Sequence, residues 1–120
     1  MQNLFQDHSP GSEEIPTGGW RAVQDVYRTK DGNAYFTFSF VKVGIFFTHY
    51  EIDIVSQPSY GDREAGQHST HRLPSARGGY RVCLGDDSQA DSLFNARKWA
   101  GTWAEHTWNY ICTGRSFPNR

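Results

Sequence analysis

The sequence predicts an α+β domain in which an antiparallel β-meander of three strands, a long loop and a fourth strand pack on one C-terminal amphipathic helix. Three observations carry that prediction. Residues 88–113 hold apolar side chains at helical spacing. Residues 20–55 read as strand formers broken by turn residues, and residues 56–79 show no apolar period. The order is strand, strand, strand, loop, strand, helix, which leaves one face of the sheet for the helix to cover.

Leu93, Ala96, Ala100, Trp103, Ala104, Thr107, Tyr110 and Ile111 share one face of the predicted helix, and Asn95, Lys98, Thr102, Glu105 and Asn109 share the other. Ser88, followed three residues later by Asp91, is read as its start, with Asp86, Asp87 and Asp91 placing negative charge at the positive end of the dipole. Gly114, with Pro118 beyond it, marks the end. Three of the four tryptophans, Trp99, Trp103 and Trp108, lie on this helix.

In the strand region, Lys30-Asp31-Gly32-Asn33 separates two β-rich runs, a strong hairpin signal. Phe36, Phe38 and Phe40 alternate with Tyr35, Thr37, Ser39, Val41 and Val43, so the phenylalanines are assigned to the core. Gly44 turns into a third strand over residues 45–55, with Tyr50, Ile52 and Ile54 on one face and His49, Glu51 and Asp53 on the other. The fourth strand begins at Tyr80 and alternates Tyr80, Val82 and Leu84 against Arg81 and Cys83. Helix rings are expected to pack on Phe36, Phe38, Phe40, Ile52, Ile54, Val82 and Leu84. The open face would then present Tyr35, Thr37, Ser39, Val41, His49, Glu51, Asp53 and Arg81 to water, as antiparallel sheets commonly do.

Residues 1–18 are polar, contain two prolines and show no period, and are read as a flexible N-terminal tail on a single domain spanning 19–120. At 120 residues, one domain can bury roughly two thirds of its unfolded surface. Twelve basic and thirteen acidic side chains give a formal charge of −1, so the chain has no global field to recruit nucleic acid or an anionic membrane. No apolar run is long enough to span a bilayer, and the N-terminus lacks the order of a secretory signal, so a soluble cytoplasmic protein is expected. Cys83 and Cys112 are expected as buried thiols in a reducing compartment.

Four constellations bear on chemistry. His49, Glu51 and Asp53 project from one strand face about 6.6 Å apart, a set usable for a hard cation or for acid–base work. His68 and His71, with Cys83 and His106 as further ligands, offer only one pair where zinc sites use two paired sets. Arg63, Arg72, Arg77 and Arg81, with Tyr60 and Tyr80 interleaved, suit phosphate contact and base stacking. The glycine pairs form no phosphate-binding loop, and no Gly-x-Ser-x-Gly elbow occurs.

These readings favour binding over catalysis, with no cofactor. The expected function is contact with a macromolecular protein partner through the 56–79 loop and the open sheet face, using Tyr60, Arg63, His68, His71, Arg72, Arg77 and Arg81. Nucleic-acid binding by the same surface is the alternative, and a metal-dependent enzyme using His49, Glu51 and Asp53 is the third. Monomer and homodimer are both compatible with an open sheet face.

Overall fold

The computed structural model describes residues 14–17, 20–45, 48–83 and 90–118. Its elements are β1 (Glu14–Thr17), β2 (Trp20–Arg28), β3 (Tyr35–Val43), β4 (His49–Ser56), α1 (Gln67–Thr70), β5 (Arg72–Pro74), β6 (Tyr80–Val82) and α2 (Leu93–Thr113). The strands form one antiparallel sheet in the order β1-β2-β3-β4-β6-β5. Both edge strands contain a proline, Pro16 in β1 and Pro74 in β5, a residue that cannot donate to another ladder and is tolerated at edges for that reason.

The α+β arrangement matches the sequence prediction, with differences in detail. Glu14–Thr17, within the stretch read as tail, pairs with β2 and lengthens the meander to four strands. The 56–79 stretch carries the single-turn helix α1 and the edge strand β5. Both are too short to leave a periodic signal. The third strand begins at His49 rather than at residue 45, and Ile45 is exposed. The helix begins at Leu93, and its N-cap is Ser92, whose hydroxyl accepts the Asn95 N–H at 3.1 Å, so the Ser88 start is four residues early. Ser88 and Leu84 lie outside the described residues. At the other end Gly114 takes the left-handed conformation (φ 78°) and donates its N–H to the Tyr110 carbonyl at 2.8 Å, as its position predicted.

The core lies between α2 and one sheet face. Phe36, Phe38, Phe40 and Ile52 are fully buried there, while Ile54 is only partly covered. Along α2 the residues meeting the sheet are small: Ala96, Ala100, Gly101 and Ala104 are all buried, and they bring the helix backbone close to the phenylalanine row. Trp103 fills the space this leaves, edge-on to Phe36 (centroids 5.8 Å, 82°) and to Phe38 (6.0 Å, 77°), the geometry favoured by ring quadrupoles. Before the helix, the Tyr50 and Ala90 backbones exchange two hydrogen bonds of 2.7 and 2.8 Å, tying its approach to β4.

A polar seam fixes the helix lengthwise against β2 and its hairpin. Arg97 Nε and Nη2 both donate to Asp25 Oδ2 at 2.7 Å, which explains how a carboxylate that is 1% exposed is tolerated on the core face. Further along, the Tyr27 hydroxyl donates to Glu105, whose Oε2 also accepts the Lys30 N–H at 2.9 Å. Burial, and after it the Glu105 carboxylate, push the Tyr27 phenol well above its usual range. In the hairpin turn, Asp31 accepts from the Thr29 hydroxyl (2.7 Å), the Asn33 N–H (2.9 Å) and the Trp108 indole N–H (2.7 Å). Those donors, the Thr29 hydroxyl foremost, hold the Asp31 pKa at about 2.

Among the described residues, no helix is long and apolar enough to cross a membrane. Both cysteines are thiols, but they are not the buried pair expected: Cys83 is half-buried and Cys112 is exposed in the last turn of α2.

Two predictions follow from the seam. A Cβ at Gly101 would stand 3.1 Å from Tyr27 Cε1, and Tyr27 is tethered by Glu105, so Gly101→Val should destabilise the fold by about 1–3 kcal/mol in thermal or denaturant unfolding, with Thr102→Ala on the exposed face nearly neutral. Because the native pKa of Asp31 is depressed, its contribution is fully present above the ordinary carboxylate range and is lost as pH falls toward about 2. The stability gap between wild type and Asp31→Asn, followed by pH-dependent unfolding, should therefore close over that acidic window.

Candidate functional site

The sheet face turned away from α2 divides into three zones. At one end Ala22, Val41 and Val43 form a small buried cluster, so Val41, expected in water, is 1% exposed. Along the β4–β6 side lies an ion-pair network. Toward the β2–β3 hairpin, Arg28 and Tyr35 are exposed as paired neighbours in the ladder, with the guanidinium 5.8 Å from the ring centroid. Thr37, Ser39 and His49 are half-buried.

The network forms because β5 and β6 make a hairpin whose tip folds over this face. Gly78 (φ 93°) and Gly79 (φ 68°) supply the left-handed turn, closed by bonds from Ser75 N–H to the Gly79 carbonyl (2.9 Å) and from Gly78 N–H to the Ser75 carbonyl (3.1 Å). That geometry aims Arg77 at the carboxylates of β4. Its Nε donates to Asp53 Oδ2 at 2.5 Å, and its Nη2 donates to Asp53 Oδ1 at 2.9 Å and to Glu51 Oε1 at 2.6 Å. The Ser75 hydroxyl donates to Asp53 Oδ1 at 2.8 Å, and Arg81 Nη1 stands 3.6 Å from Glu51 Oε2. The Arg77, Glu51 and Asp53 side chains are 9%, 14% and 13% exposed, so the contacts work at reduced dielectric. Hydrogen bonding to Asp53, opposed by burial and helped by Glu51, holds the Arg77 guanidinium charged more firmly than usual.

The other predicted contact residues are placed by packing between this segment and α2. Arg72 lies between Tyr60 (4.9 Å) and Tyr80 (4.0 Å), with Nε donating to the Thr70 hydroxyl and Nη2 to the Ala65 carbonyl, both at 3.1 Å. Tyr60 leans on Tyr110 at 6.1 Å, and its burial pushes the phenol up. Arg63 donates to the Ile111 and Cys112 carbonyls at 3.2 and 3.5 Å, capping α2 at its negative end. His71, the one non-glycine residue with positive φ among those described (52°), ends α1 and stacks on Phe117 at 4.3 Å, while His106 contacts the same ring at 5.5 Å. His68 is exposed.

The structure thus brings Tyr60, Arg72 and Tyr80 together, and separately Arg77, Arg81, Glu51 and Asp53. It does not join all seven predicted residues into one patch. Among the described residues no group of three or more His, Cys, Asp and Glu side chains is placed to hold a metal ion. Sequence reasoning missed the Arg28–Tyr35 pair, although Tyr35 was assigned to the open face. It also missed Asp25–Arg97 and Tyr27–Glu105, whose only signal was a polar group alternating onto the core face of β2.

Comparison with family models, with curated proteins and with solved structures gave no match.

Replacing Arg77 with Met leaves two largely buried carboxylates facing one another without the guanidinium. Removing one partner of a fully buried pair costs about 3–5 kcal/mol; the residual exposure here lowers the expected loss to about 2–3 kcal/mol in denaturant unfolding. The triple substitution Arg77→Met, Glu51→Gln, Asp53→Asn should recover part of it.

Proposed function

We propose that the chain is a non-catalytic binding protein that contacts a macromolecular partner through the 56–79 segment and the open face of the sheet, and that the partner is a protein. The observation that carries this reading is the Arg77–Glu51–Asp53 network. It occupies with a guanidinium the carboxylates that a metal-dependent reaction would need, and it occupies with carboxylates an arginine that phosphate binding would need. Arg63 and Arg72 likewise spend donors on main-chain carbonyls. What this surface offers is a firmly held, nearly charge-balanced platform edged by Tyr35 (52% exposed), the mixed polarity and aromatic content of a protein interface.

Nucleic-acid binding remains the second reading, favoured by one observation: Arg28 and Tyr35 stand together in solvent, a pairing suited to a stacked base beside a phosphate. The two readings separate by salt and nuclease. A protein partner captured from the native host is expected to stay bound after nuclease treatment and to lose little affinity across a salt series. Loss of the captured material to nuclease, or a steep fall of oligonucleotide binding with salt, would favour the second reading instead.

With the captured partner in hand, Tyr35→Ala should weaken binding about tenfold or more in a titration by calorimetry while leaving the unfolding midpoint nearly unchanged, since the ring is half in water.

A further inference from the structure

We draw no further inference here: the strongest candidate, the exposed Phe94 ring in the first turn of α2, is a surface apolar group, and nothing in the structure shows what covers it.

Discussion

Trp103 is where the sheet, the long helix and the 57–83 excursion meet, and the rest of the structure depends on its seat. Its ring lies edge-on to two phenylalanines of β3, and its indole N–H donates to the Thr70 carbonyl at 3.1 Å, the last residue of α1. A single buried side chain therefore serves two contacts of different kinds, one apolar and one directional. The apolar contact sets how closely α2 approaches the sheet. The hydrogen bond fixes where the excursion between β4 and β6 lies on α2. Tyr110, two helical turns on, repeats the device by donating to the Glu64 carbonyl at 2.8 Å. Between them these two side chains anchor a glycine-, proline- and serine-rich stretch to the helix, by giving its carbonyls buried partners.

The second constraint is charge. A chain with near-zero net charge and arginines concentrated in one loop reads as carrying a local cationic patch. Folding places those arginines beside carboxylates and helix-end carbonyls. Arg63 meets the negative end of α2 and Arg77 meets Glu51 and Asp53, while Arg97, on α2 itself, meets Asp25. Each of these bonds joins elements distant in the chain, so the arginines act as directional ties between layers that a core built largely on three phenylalanines and one tryptophan would leave free to slide.

Much of this was legible in the sequence. The alternation of Phe36, Phe38 and Phe40, the Asp31-Gly32 turn and the small-residue stripe on α2 each specify local geometry directly, and each stands where it was read. The helix start was misplaced because Ser88 and Ser92 offer the same capping chemistry, and only the three-dimensional approach of the chain at Ala90 selects the second. The 56–79 stretch looked structureless because α1 and β5 are a turn and three residues long. Their order comes from Trp103, Tyr110 and Arg77, partners at sequence distances no local pattern encodes. The same reason hid the fate of the candidate contact residues: an arginine bound to phosphate and one bound to a distant carboxylate have identical neighbours in the chain.

The excursion owes its place on the helix to the Trp103 indole. Trp103→Phe keeps an aromatic ring against Phe36 and Phe38 and removes the N–H, leaving the Thr70 carbonyl without that donor at a cost of about 1–3 kcal/mol. Amide hydrogen exchange measured residue by residue should then speed up about 5–150-fold in residues 64–83, while the β2–β3 ladder changes less. Equal acceleration throughout the chain, or unchanged protection in residues 64–83, would contradict it.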